Sequence, residues 1–253
     1  MKYDVKTCEI LSKNWLTKYV CDVTVNAGEM AEQSRPGQFV HIYVPGKTLR
    51  RPISICGIDR ERGILRLVFQ IRGEGTEQLS KMEQGDAYDL LGPLGNGFSL
   101  GSEAGHTVFV GGGIGVPPLL EAAKECAGNV TAVLGFRDKN AVILEEDFKK
   151  ICGVQIATDD GSYGHHGLVT ELLAPLNAGA IYACGPTPML KAVVKFAQEK
   201  NIPCQVSLEE RMACGIGACL GCACKLRRDG KEFYGHVCKD GPVFDSREVV
   251  WEG

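Results

Sequence analysis

The chain has 253 residues, 44% of them hydrophobic, and a formal net charge of −3 at pH 7. That length suits two or three small domains with a substantial core, and the charge balance excludes the basic footprint of a nucleic-acid binder. No stretch approaches the roughly 18 apolar residues of a membrane-spanning helix. The opening Met1-Lys2-Tyr3-Asp4-Val5-Lys6 lacks the apolar core of a signal peptide, so a cytoplasmic location is expected. Twelve cysteines in that setting point to reduced thiols and metal ligation rather than a disulfide framework.

Alternating β-rich runs predict strands at Tyr3–Ile10, Leu16–Val25, Gln38–Val44, Ile53–Ile58, Ile64–Ile71 and Ala87–Leu91. Turn residues separate them, and short strands at this spacing predict an antiparallel β-barrel over residues 1–100. Within it, Arg50-Arg51-Pro52-Ile53-Ser54 places an arginine at a strand start, where a guanidinium can pair with a phosphate. Taken alone, the segment reads more simply as an edge strand with solvated arginines. Val68-Phe69-Gln70 then runs into a glycine turn, and Thr76 is the expected N-cap of a helix over Gln78–Met82. Gly75 and Thr76 form a candidate pyrophosphate cradle there; an ordinary capped helix is the alternative.

From Thr107 the pattern changes. Strands are predicted at Thr107–Val110, Val130–Phe136, Val154–Thr158 and Ala180–Ala183, alternating with helices at Leu119–Glu125, Leu144–Lys150, Leu168–Leu173 and Met189–Glu199. That alternation means a parallel α/β sheet over residues 101–202. The run Gly111-Gly112-Gly113-Ile114-Gly115-Val116-Pro117-Pro118 reads G-x-G-x-x-P, not the G-x-G-x-x-G of a Rossmann dinucleotide site, and Arg137 rather than an acid follows the second strand. A phosphate-compatible helix start and plain strand–helix packing stand as equal readings. Cys184, in Cys184-Gly185-Pro186, has no His or Asn partner suggested by the sequence and is not read as a nucleophile.

Residues 203–253 carry the most specific signal. Cys214, Cys219 and Cys222 stand in a C-x4-C-x2-C spacing, and fifteen residues separate Cys222 from Cys238. This is the plant-type spacing for a [2Fe–2S] cluster. Gly215, Gly217 and Gly221 let the backbone turn tightly and bring N–H groups to the sulfurs. A structural zinc site also uses four thiolates but usually pairs two short knuckles, and three clustered ligands with one distant favour iron. A Rieske-type site through His236 lacks its second histidine. Cys224 is a spare small hydrophobe. Ile216 and Leu220 suit either a docking face or local packing.

These segments together resemble the ferredoxin–NADP reductase superfamily. The R-x-x-S strand, the Gly75-Thr76 helix start, Pro36-Gly37-Gln38-Phe39-Val40 and Gly92-Pro93-Leu94-Gly95 look like its FAD domain. The resemblance implies FAD held with Arg51 on the pyrophosphate, Pro52, Ile53 and Ser54 beside the flavin, the Val68, Phe69 and Gln70 backbone on the ring, and Gly75 and Thr76 on the phosphates. G-G-x-G-x-x-P and Cys184-Gly185-Pro186-Thr187-Pro188-Met189 look like its pyridine-nucleotide domain. There Gly112, Gly113 and Gly115 would pack on NAD, Arg137 would reach its ribose or phosphate, and Cys184, Gly185 and Pro186 would lie near the nicotinamide. The cysteine segment, over an otherwise full-length likeness, resembles the electron-transfer subunits of class 1B dihydroorotate dehydrogenases. That implies an FMN-containing dihydroorotate dehydrogenase catalytic subunit as partner, two of each chain in a heterotetramer, and pyrimidine biosynthesis as the setting. The runner-up is a related FAD/[2Fe–2S] subunit serving NAD(P)H–ferredoxin, sulfite or hydrogen chemistry. A zinc-stapled nucleotide-binding regulator is the third reading, and visible absorbance separates it from both.

Overall fold

The structure, a computed structural model, describes residues 3–101 and 105–251. Its first part is a closed antiparallel barrel with strand order β1-β2-β5-β4-β3-β6. The strands are β1 (Asp4–Thr17), β2 (Val20–Asn26), β3 (Phe39–Ile42), β4 (Arg51–Asp59), β5 (Ile64–Gln70) and β6 (Ala87–Leu94), with α1 (Glu29–Gln33) after β2 and α2 (Glu74–Ser80) after β5. Alternation turns Val23, Val40, Ile42, Leu65 and Leu67 into the barrel core.

Two local expectations are corrected here. Separate strands were predicted at Tyr3–Ile10 and Leu16–Val25, but β1 continues to Thr17 and the chain turns before Val20. The polar run Ser12-Lys13-Asn14 has the composition of a turn, yet it is paired: Ser12 Oγ lies 2.7 Å from Thr24 Oγ1, and Lys13 meets Glu83 at 2.5 Å. Thr76 is not an N-cap. The helix begins at Glu74 with Gly73 in the capping position, and the Thr76 hydroxyl accepts from the Arg72 N–H at 2.9 Å while donating to the Gly73 carbonyl at 3.1 Å. β5 has already ended at Gln70 and Gly73 takes the capping position, so the Thr76 hydroxyl closes the loop from inside the first turn.

The second part contains β7 (His106–Gly112), α3 (Pro117–Glu125), β8 (Asn129–Phe136), α4 (Glu145–Lys149), β9 (Gly153–Thr158), β10 (His165–His166), α5 (Val169–Leu173), β11 (Ala180–Cys184), α6 (Thr187–Glu199) and β12 (Cys204–Ser207). The last part adds β13 (Ala223–Arg228), β14 (Lys231–His236) and β15 (Val243–Asp245). The large sheet runs β10-β9-β8-β7-β11-β12-β15, parallel throughout except for β15, which pairs antiparallel with β12. The β7 and β11 strands are buried on both faces, which is why they read as continuous apolar runs. Pro117 and Pro118 open α3, where a missing N–H is no loss. The β13–β14 hairpin forms a further, two-stranded sheet, with the 248–250 segment hydrogen-bonded along β13.

The barrel and the parallel-sheet part are locked together. Val20, Val68 and Phe98 share one core with Phe109, Leu119 and Leu134. Glu121 on α3 is buried, and its carboxylate accepts from the Ile58 N–H of β4 at 2.9 Å. Arg66 on β5 holds Asp22 with two hydrogen bonds, at 2.9 and 2.7 Å, and reaches Asp147 of α4 at 2.9 Å. Glu121→Ala leaves the buried Ile58 N–H without an acceptor, a loss of about 2 kcal/mol. A drop in thermal midpoint of roughly 4–8 °C is expected, with Glu121→Gln recovering much of it; an unchanged midpoint in calorimetry would show that this contact does not hold the two parts together.

Candidate functional site

The turns at the carboxyl ends of β7, β8 and β11 converge on one cleft of about 1500 Å³. Its walls include Gly112, Gly113 and Gly115 after β7, Arg137 after β8, and Gly185 and Pro186 after β11. Open α/β sheets bind ligands at this edge. The barrel supplies the opposite wall through Tyr19, Gln70 and Arg72, and the C-terminal part closes it with Cys224, Tyr234 and Trp251. The predicted nucleotide residues are therefore brought together, with one exception: Cys184 is buried behind Gly185 rather than in the lining. Burial pushes its thiol well above the ordinary range, which fits a packing residue.

Arg72 also lines a second cavity of about 410 Å³, shared with Lys47, Arg51, Gly73, Gly75 and Thr76. Arg51 lies directly over Gly75: a Cβ at that glycine would sit 2.5 Å from Arg51 Nε. The bare backbone at the start of α2 and the guanidinium thus form one cradle, of the chemistry that pairs with a phosphate. The remaining predicted barrel residues divide by face. Ile53 and Phe69 turn into the barrel core and Val68 into the core shared with the parallel sheet, so these three offer only backbone to a ligand. Pro52 and Ser54 are part-buried on β4, and Gln70 reaches the cleft.

The cysteine loop lies against the barrel. Asn96, just after β6, donates from its backbone N–H to the Gly241 carbonyl at 2.5 Å and from Nδ2 to the Lys239 and Asp240 carbonyls at 3.1 and 3.0 Å. Phe39 of β3 and Leu94 of β6 pack into the same small core as Cys222, Val237, Cys238 and Phe244. Backbone N–H groups point at the sulfurs: Ile216 and Ala218 donate to Cys214 Sγ at 3.5 and 3.3 Å, Gly217 to Cys238 Sγ at 3.1 Å, and Cys238 to Cys222 Sγ at 3.4 Å. Cys214 interacts with Cys219 and Cys238 with Cys222, and Cys214 also acts on Cys238, so the four thiols form one group. Burial raises Cys214, but the amides of Ile216 and Ala218 together with the Cys219 thiol and backbone outweigh it and bring the thiol down to about 6. Among the described residues no three His, Cys, Asp or Glu side chains are grouped to hold a single metal ion. The four thiolates, as one group, match the donor set of a [2Fe–2S] cluster. Cys219 is exposed and Leu220 beside it is 66% exposed, whereas Cys222 and Cys238 are buried.

Sequence reasoning missed the cleft's third wall. Glu209 lines it beside Arg72 and Gly185. Although Glu209 as a whole is exposed, partial desolvation of its carboxyl raises its pKa, with Arg72 acting in the opposite direction. No local signal marks Glu209, because it arrives through the return of the chain after β12. Cys224, read from the sequence as a spare hydrophobe, is half-buried and reaches the same wall.

A barrel and a parallel-sheet domain that share a cleft, with a four-cysteine loop fixed to the barrel, define an iron–sulfur member of the reductase-type electron-transfer proteins. The family model for the iron-sulfur cluster binding domain of dihydroorotate dehydrogenase B matches residues 209–250. The dihydroorotate dehydrogenase B (NAD(+)) electron transfer subunit of Geobacillus thermodenitrificans is 44% identical over 95% of this chain and 96% of its own. The Streptococcus mutans subunit of the same name is 46% identical over 88% and 90%. Among solved structures, that of an NADH-dependent reduced ferredoxin-NADP oxidoreductase superposes with a TM-score of 0.87 at 33% identity, covering 96% of this chain and 90% of that one. The chain belongs to the family of dihydroorotate dehydrogenase B (NAD(+)) electron transfer subunits.

Proposed function

We propose that this chain carries electrons from dihydroorotate, oxidised on an FMN-containing catalytic partner subunit, through a [2Fe–2S] cluster and FAD to NAD(+), in pyrimidine biosynthesis. The observation that carries this reading is the shared cleft, in which nucleotide turns, barrel edge and cluster hairpin face one cavity. When bound, the flavin exchanges a hydride with the nicotinamide and single electrons with the cluster. The chain's residues bind and orient. Arg51, Gly75 and Thr76 hold the FAD pyrophosphate in their cradle. Pro52, Ile53 and Ser54 on β4 and the backbone of Val68, Phe69 and Gln70 on β5 flank the flavin. Gly112, Gly113, Gly115, Arg137, Gly185 and Pro186 seat NAD against it, with Cys184 supporting the turn from behind. Cys214, Cys219, Cys222 and Cys238 ligate the iron. Burial of Cys222 and Cys238 against Phe39 and Leu94 keeps water from the barrel side, while the exposed Cys219 end faces outward.

The site for dihydroorotate lies on the partner, and the assembly contains two of each chain in the cytoplasm. No helix among the described residues is long and apolar enough to cross a membrane. The test is anaerobic NAD(+) reduction by dihydroorotate, with the chain purified together with its FMN-containing partner and then alone. Activity that needs both chains is expected. A flavin-bearing chain that oxidises NADH yet never couples to dihydroorotate in the complex would sink the reading and promote a ferredoxin-type role.

A further inference from the structure

His41 sits on β3 between the two redox-binding regions just described. Its neighbours on the strand, Val40 and Ile42, point into the barrel, and the alternation sends Phe39 and His41 to the outer side. Across the ladder His41 faces Pro52, the first of the residues set beside the flavin. A proline has no N–H to give, and the His41 carbonyl accepts from Arg50 Nη1 at 3.2 Å. On its other side the ring meets the cysteine loop. A Cβ on Gly215, the residue after Cys214, would lie 2.7 Å from His41 Nδ1 and 2.9 Å from Cε1. Gly215 also has φ +73°, so both its conformation and its missing side chain are needed for the ring to fit.

The imidazole is wholly buried, at 0% exposure, and neither ring nitrogen has a hydrogen-bond partner. The ring meets that of Phe39 in a T-shaped contact, with centroids 5.9 Å apart. Burial, together with the charges of Arg50 and Arg51, lowers its pKa to about 4, so the ring is neutral and carries one N–H. A buried donor and acceptor without partners is costly to leave in place. Residues of that kind persist where a partner arrives with a bound group.

We propose that His41 is a positioning residue for the iron–sulfur group: packed on Gly215, its ring supplies a hydrogen bond to the Cys214 end of the loaded loop, so that the flavin-binding barrel sets the cluster's reduction potential. This rests on the iron–sulfur reading above. Reduction adds one electron and no proton to the group. A neutral N–H donor at its edge stabilises the added negative charge, and its removal shifts the reduction equilibrium toward the oxidised form.

The test uses the chain in complex with its partner, as wild type, His41→Leu and His41→Gln. Iron and sulfide content is measured first, then the cluster's midpoint by redox titration followed by electron paramagnetic resonance. The leucine fills the space without a donor and is expected to load iron with about a tenfold shift in the one-electron equilibrium, about 59 mV more negative. Glutamine restores a donor and is expected to return toward the wild-type midpoint. Loading by glutamine but not leucine would support the hydrogen bond equally. A leucine variant with full iron, an unchanged midpoint and an unchanged spectrum overturns the proposal. So does loss of iron in both variants with flavin retained, which assigns the ring to packing alone. Wild-type complex without iron or sulfide would instead overturn the cluster reading itself.

Discussion

Cys238→Ser removes the iron–sulfur chromophore and leaves the flavin. Cys238 is fully buried in the small core with Phe39, Leu94 and Phe244. Its sulfur accepts the Gly217 N–H at 3.1 Å, and its own N–H is spent on Cys222 Sγ. Burial and the neighbouring Cys222 push its thiol up to about 12 in the unloaded chain. The thiol therefore stays protonated until iron binds, and ligation displaces its proton to solvent. A serine oxygen is harder, stays protonated and is a poor ligand for an iron–sulfur centre. Changes to groups behind metal ligands cost roughly 10–100-fold, and loss of a ligand is expected to exceed that. The measurement is dihydroorotate-driven NAD(+) reduction in the assembled complex, set against NADH oxidation with an artificial acceptor that draws electrons from flavin. The first is expected to fall more than about 100-fold and the second to change little. Full iron content with near wild-type coupling would remove Cys238 from the ligand set. Cys126→Ser, at the end of α3 away from both cavities, serves as the control.

The second large effect is at the nucleotide turn. A Cβ on Gly115 would lie 2.5 Å from the Cys184 carbonyl oxygen and 2.6 Å from Gly185 Cα. These are backbone atoms of the neighbouring turn and cannot rotate away. Gly112 differs, since its close neighbours are the side chains of Met189 and Pro186. Gly115→Ala must therefore push apart the β7 and β11 turns, both of which line the cleft proposed to seat NAD. Overpacking of this kind costs about 3 kcal/mol at its upper range. If half of that appears in nucleotide binding, kcat/KM for NADH falls by about tenfold. Steady-state kinetics with the artificial acceptor reads this directly, and the iron content should stay at the wild-type level. An unchanged kcat/KM would mean that NAD does not depend on the contact between these turns.

Both effects concern features that were unequally visible in the sequence. The cysteine spacing carries its own geometry, because a tight glycine-rich loop is a local object. The parallel sheet was legible for a similar reason: β7 and β11 are buried on both faces and read as apolar runs. Errors came where local composition and pairing disagree. Ser12-Lys13-Asn14 looks like a turn until β2 lies beside it. Thr76 looks like a cap until the helix is seen to start at Glu74, with Gly73 in the capping position. What was not legible is how the parts meet. Glu121 reads as one acid on an amphipathic helix, and nothing near it announces the Ile58 N–H. His41 is one residue in an alternating strand, and its meaning comes from Gly215, far along the chain. Such contacts are fixed by tertiary packing, which periodicity does not encode.

The placement of β15 also bears on how this chain can be cut. Gln205, Val206 and Ser207 of β12 take partners from Val243, Phe244 and Asp245, which come after the last cysteine. The cysteine-bearing segment is thus stitched back into the sheet and is not a pendant appendage. A version shortened after Ser207 would lose more than its iron. It would bare the outer row of amides and carbonyls on β12, a template for edge-to-edge association with other molecules. The iron–sulfur segment therefore doubles as the guard on the sheet's edge, and the two roles cannot be separated by simple truncation.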